Sequence, residues 1–141
     1  MADVTVRRLD EMDSLGEGRF RRCRAELGVR SFGFQVFDMP ANYQDHPEHA
    51  HASMPPPMEQ ANDGQEEVYV ALKGSAVLLA DGQEFTLEPG VMARVGPSQM
   101  RKLITREQPA QVLVIGGIPG KPYAAPAFTE IGASPASASN A

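Results

Sequence analysis

The sequence predicts an all-β fold, a sandwich or small barrel carrying a short N-terminal arm. Three observations lead there. From Val29 onward the apolar residues fall into short runs bounded by Gly, Pro or charged residues. One pair of runs flanks Asp81-Gly82, a dipeptide suited to the positive φ angles of a tight hairpin turn. Helical patterning is confined to one short stretch near the N-terminus. Six or seven short strands separated by turns, with little helix, are the pattern of a sandwich or barrel.

The elements follow in chain order. Residues 19–27, RFRRCRAEL, predict a short helix ended by Gly28, with Arg19, Arg22 and Arg24 on a solvated face. Cys23 within it reads as a packed small residue. "VRSFGFQVF" is a strand with Phe32, Phe34 and Val36 on one face, and Pro40 ends it. Residues 53–64, SMPPPMEQANDG, are too rich in Pro and polar residues to be a strand and should loop out at the surface. "EVYVALKG" is a strand closed by Gly74, and "SAVLLADGQEFTL" is the hairpin. Pro89-Gly90 sits in the order of a type II turn. "VMARV", "MRKLIT" and "QVLVIGG" are further short strands. "PGKPYAAPAF" has too many prolines for regular structure, and the tail "GASPASASNA" reads as disordered. The organisation expected is an arm over 1–28, a barrel over 29–118 and a Pro-rich arm with its tail over 119–141.

With 141 residues, 42% hydrophobic and 22% charged, the chain is sized and composed as one globular domain. A formal net charge of −5 argues against nucleic acid or an anionic membrane as the main partner. A single cysteine allows no internal disulfide, and no segment has the apolar length of a membrane span or the run of a signal peptide. A cytoplasmic protein is expected. No serine elbow, Walker-type phosphate loop or dinucleotide fingerprint is present.

Chemistry concentrates in "HPEHAHASMPPPMEQANDGQEEVYVALKG". His49 and His51 are two apart, so on an extended strand both imidazoles point to one face. Glu67 opens the next strand, and two imidazoles with one carboxylate suit Fe(II), Mn, Ni or Zn while leaving positions open for substrate. His46, beyond Pro47 and of opposite parity to His49, reads as a loop residue. Tyr69 shares parity with Glu67, and Glu66 is the exposed neighbour.

These residues resemble the first motif of the cupin family: an H-x-H pair at 49–51, Glu67, and Gly74 at the family's spacing from it. "LADGQEFTLEPGVMARVGPSQMRKL" is similar to the family's hairpin, P-G turn and following strand. The resemblance covers roughly residues 32–117. It implies a double-stranded β-helix, a jelly-roll barrel with the site inside, and a homodimer paired through sheet edges. The chain departs from the family in two places. Residues 52–66 separate His51 from Glu67, a longer gap than usual, which closure entropy tolerates because it grows only logarithmically with length. At the position where the second motif offers its histidine ligand stands Arg101, which cannot coordinate a metal.

Two functions follow as expectations. In the first, His49, His51 and Glu67 hold a divalent metal, while Arg101, Tyr69 and Gln99 meet an acidic small molecule, in a metal-dependent oxygenase or isomerase. In the second, Arg101 pairs with Glu67, and the chain is a metal-free ligand-binding or sensor barrel.

Overall fold

The computed structural model describes residues 1–134. Strands β1 (Ser14–Leu15) and β2 (Phe20–Arg21) and helix α1 (Cys23–Leu27) form the arm. The body consists of β3 (Gly33–Met39), β4 (Glu66–Gly74), β5 (Ala76–Ala80), β6 (Gln83–Leu87), β7 (Met92–Val95), β8 (Lys102–Ile104) and β9 (Ala110–Gly117). All pairings are antiparallel, in a six-stranded sheet ordered β1-β2-β3-β9-β4-β7 and a three-stranded sheet ordered β6-β5-β8. Among the described residues no ladder joins the two sheets, so the jelly roll is two packed sheets rather than a hydrogen-bonded closed barrel. Between them lies the core, with Tyr69 and Val112 from the larger sheet against Leu78, Leu87 and Leu103 from the smaller. No helix among the described residues is long and apolar enough to cross a membrane.

Local chemistry explains the register. Asp81 and Gly82 both take positive φ, 51° and 67°, which matches the hairpin twist and puts Ala80 opposite Gln83. Val91 N–H bonds Glu88 O at 2.9 Å across Pro89-Gly90, with Gly90 at φ 96°, the type II geometry. Gly74 takes φ +69°, and a Cβ there would stand 1.9 Å from Pro109 O, so the end of β4 admits only glycine.

The arm departs from the sequence expectation. Only Cys23–Leu27 is helical; Phe20 and Arg21 instead pair with Phe37 and Val36 of β3. Gly28 at φ 75° ends α1, its N–H bonding Ala25 O. Arg22 and Arg24, expected on a solvated face, are 2% and 6% exposed. Their partners come from the far end of the chain. Arg22 donates to Phe128 O, Asp13 Oδ2 and Ala133 O, and Arg24 donates to Val29 O and Glu130 Oε1. The segment 119–134 is thereby fastened across the arm, with the Phe128 ring 5.5 Å from that of Phe20 and tilted against it by 50°. Cys23 is buried, and burial pushes its thiol up to about 11, so it is packing rather than a nucleophile. Phe34 and Val36 pack beneath the arm with Met12, while Phe32 is exposed. The tail expected to be disordered lies outside the described residues from residue 135 onward.

Candidate functional site

Alternation along β4 sends Glu67, Tyr69 and Ala71 inward and leaves Glu66 outward, where it pairs with Arg94. The residues facing β4 across the interior come from no regular strand. His49 and Arg101 exchange both backbone hydrogen bonds at 2.9 Å, an isolated antiparallel bridge, and His51 N–H bonds Pro97 O. This pins residues 49–51 in an extended form with both imidazoles on one side, their ring centroids 4.9 Å apart. Gly64 N–H bonds His51 O, so the Pro-rich insert returns to its starting point and leaves the ligand spacing intact.

His49, His51 and Glu67 each offer one donor atom, all within 4.8 Å of one another. Glu67 Oε1 lies 3.7 Å from His49 Nε2 and 3.2 Å from His51 Nε2. Ligands of one metal ion at bond lengths of about 2.0–2.2 Å stand about 3–3.5 Å apart, so little movement is needed to close the set. His49 Nδ1 sits 3.1 Å from Pro47 O; donating there, it leaves the Nε2 lone pair facing Glu67. His51 Nε2 is buried and, although 3.2 Å from Glu67 Oε1, makes no hydrogen bond of good geometry among the described residues. A metal ion would supply the partner that this nitrogen lacks. The residues present therefore fit a divalent ion.

The carboxylate itself is tightly held. Glu67 Oε1 accepts from Tyr69 Oη and Arg101 Nη2, each at 2.9 Å, and Oε2 accepts from Gln65 Nε2 at 3.1 Å. Burial pulls the Glu67 pKa up, but the Arg101 guanidinium, together with His49 and His51 whenever their Nε2 atoms carry a proton, outweighs it and holds the carboxyl well below its usual range. Burial, then the Glu67 charge, pushes the Tyr69 phenol well above its ordinary value, so it stays a neutral donor. Gln65 can reach over β9 because residue 116 is glycine: a Cβ there would lie 2.6 Å from Gln65 Cδ.

Arg101, at the position of the family's histidine ligand, is buried, and each of its three guanidinium nitrogens makes a hydrogen bond. Its Nε donates to Tyr69 Oη at 3.2 Å, Nη1 to Gln99 O at 2.7 Å and Nη2 to Glu67. It stands behind Glu67 and Tyr69 and does not line the cavity in front of them. The ligand-anchoring role expected of Arg101 is thus replaced by a role holding the carboxylate. Gln99, also expected at the ligand, is exposed, and its side chain bonds Met100 O. Tyr69 does line the cavity.

That cavity, about 280 Å³, lies over the inner face of the larger sheet, with β4 forming one side wall, β9 the floor, and β3, the arm and the C-terminal segment the other wall. Phe34, Phe37, Tyr43, Tyr123 and Phe128 make it largely aromatic. Sequence reasoning missed two of its residues. His46 stands in a loop, as expected, but a buried one: it is 5% exposed, lies between the Phe37 and His49 rings, and its Nδ1 accepts from Leu103 N–H at 3.4 Å. Burial and the neighbouring His49 lower its pKa to about 4. Gln35 on β3 is 8% exposed, and among the described residues neither of its amide heteroatoms is hydrogen-bonded. Strand parity with Phe37 could have placed Gln35 inside.

No family model and no curated relative matches the sequence. Solved structures do match. A cupin protein from Bacteroides fragilis superposes with a TM-score of 0.64 at 17% identity, over 89% of this chain and 92% of that one. A sugar phosphate isomerase of the cupin superfamily from Silicibacter pomeroyi gives 0.57 at 21%, over 82% and 70%. A DMSP lyase from Ruegeria pomeroyi gives 0.50 at 25%, over 66% of this chain and 42% of that one. With the H-x-H pair and Glu67 on the inner wall of a two-sheet jelly roll, these likenesses give the chain the cupin fold.

Proposed function

We propose that this chain binds a divalent metal ion through His49, His51 and Glu67 and presents it to a small molecule held in the aromatic cavity. The unpartnered Nε2 of His51 carries this reading, since a buried imidazole nitrogen without a partner costs about 1–3 kcal/mol. The bound ion would supply Lewis-acid or redox chemistry at open coordination positions. The chain's own residues do the positioning: Pro47 O fixes the His49 tautomer, while Tyr69, Gln65 and Arg101 orient the carboxylate. The isomerase and lyase among the structural neighbours act on small molecules, and we extend that to this chain as an isomerase or oxygenase reaction in the cavity.

A second reading is favoured by the Arg101–Glu67 contact, in which the guanidinium neutralises the carboxylate and the cavity serves ligand binding alone. At an effective dielectric of about 20, a guanidinium within several ångströms of a divalent ion is repelled by several kcal/mol, which Glu67 has to offset. Elemental analysis of protein purified without a nickel column decides between them. The expected result is close to one Fe, Mn, Ni or Zn per chain, lost in His51→Ala. Wild-type protein that carries none and takes up none when these ions are added would leave only the second reading.

A further inference from the structure

We infer that Arg19 is the residue that binds the ligand's anionic group, a carboxylate or phosphate on an otherwise apolar molecule. The inference deepens the cavity reading above and rests on the cavity holding the ligand, whether or not a metal is bound. Exposure sets the direction of the cavity: His51, Glu67 and Tyr69 at one end are buried, whereas Arg19, Gly16 and Pro47 are exposed and form its rim.

Arg19 differs from its neighbours in sequence. Arg21 faces Asp38, Arg22 pairs with Asp13, and Arg24 pairs with Glu130. Among the described residues the Arg19 side chain has no hydrogen bond and no acidic partner. Its guanidinium instead lies over the Tyr43 ring, 5.2 Å from the centroid. That contact leaves the N–H groups along the guanidinium edge free to meet an anion.

The stacked pair is also held in place. Arg19 N–H bonds Gly16 O and its carbonyl accepts from Asp38 N–H, while Tyr43 N–H donates to the Thr105 hydroxyl Oγ1 and Tyr43 O accepts from Thr105 N–H. A cation positioned this way before the ligand arrives loses less freedom on binding than a loose surface side chain.

Charge then decides the ligand class. Among the described residues, Glu67 and Arg19 are the cavity's only acidic and strongly basic lining residues, and the Glu67 charge is matched from behind by Arg101. The rim therefore carries an unmatched positive charge in a chain of net charge −5. Phe20, Phe34, Phe37 and Phe128 offer apolar surface between the rim and the buried end. An aromatic or aliphatic body with one anionic end complements both features, and a cationic ligand complements neither.

Calorimetric titration with 3-phenylpropionate, its neutral amide and phenyl phosphate tests this on the protein as purified, with metal content measured on the same samples. Wild type should bind at least one of the two anions about tenfold or more tighter than the amide. Arg19→Gln should lose that preference while keeping amide affinity and melting temperature, and Arg19→Lys should keep part of it. A preference that survives in Arg19→Gln overturns the assignment and points to the buried end of the cavity. Wild type that binds neither anion, or does not distinguish them from the amide, overturns the ligand class. Because metal content is read separately, loss of the metal reading leaves these outcomes intact.

Discussion

The two walls of the cavity are built from the same kinds of residue and treat them in opposite ways. On the β4 wall, the Glu67 carboxylate takes hydrogen bonds from Gln65, Tyr69 and Arg101, and Arg101 donates further to Tyr69 Oη and to the carbonyls of Gly96 and Gln99. On the β3 wall, Gln35 has an amide with no partner and Arg19 a guanidinium with no counter-ion. Type and burial alone would rank Arg101 as the ligand residue and Arg19 as surface. Following the hydrogen bonds reverses that ranking, because a buried guanidinium whose three nitrogens are all bonded within the protein has little left to offer a ligand.

The sharpest way to break this comparison is to remove one partner from the closed wall. Glu67→Leu leaves the fully buried Arg101 guanidinium uncompensated and should destabilise the fold by about 3–5 kcal/mol. The double variant Glu67→Leu/Arg101→Met removes both charges and should recover most of that loss. Urea denaturation of the four proteins in the cycle measures the coupling directly. If Glu67→Leu alone costs under about 1 kcal/mol, the network is not the structural unit described.

His46 lies where the two walls meet, between Phe37 of β3 and His49, and gives the next largest effect. Its pKa is about 4 in the folded protein against 6.5 for a free imidazole. The unfolded chain therefore takes up a proton at pH values where the folded one does not. The stability this confers is fully present above pH 6.5 and declines as pH falls toward 4, by about 3 kcal/mol. His46→Phe should flatten this part of the pH profile, measured by denaturant midpoints between pH 4 and 7. An unchanged slope would show that His46 titrates alike in both states.

How much of this was legible in the sequence follows from how local each cause is. The Asp81-Gly82 hairpin, the Pro89-Gly90 turn and the inward face of β4 depend on residues a few positions apart, and the pattern carries them. The i, i+2 spacing of His49 and His51 needed only an extended backbone, which the bridge to Arg101 supplies. Arg22 and Arg24 were misjudged because their partners, Phe128, Ala133 and Glu130, lie more than a hundred positions away. His46 was misjudged because Pro47 breaks the strand parity that would have predicted its side. The contrast between Arg19 and Arg101 was not legible at all, since it depends on which acceptors the finished fold brings within reach.

Gln35 gives the smallest effect and the most direct probe of the open wall. Its amide is buried beside the cavity with neither heteroatom bonded among the described residues, and Met is close to it in size without the polar atoms. Gln35→Met should therefore stabilise the protein by about 1–2 kcal/mol, opposite in sign to the changes expected on the β4 wall. Thermal melts of the variant beside wild type read this as a rise in midpoint. A fall would mean that the amide has a partner in solution, such as an ordered water within the cavity, and that this wall too is closed until a ligand displaces it. A rise, with weaker binding of the amide probe, would identify Gln35 as a polar group kept for the ligand at the expense of stability.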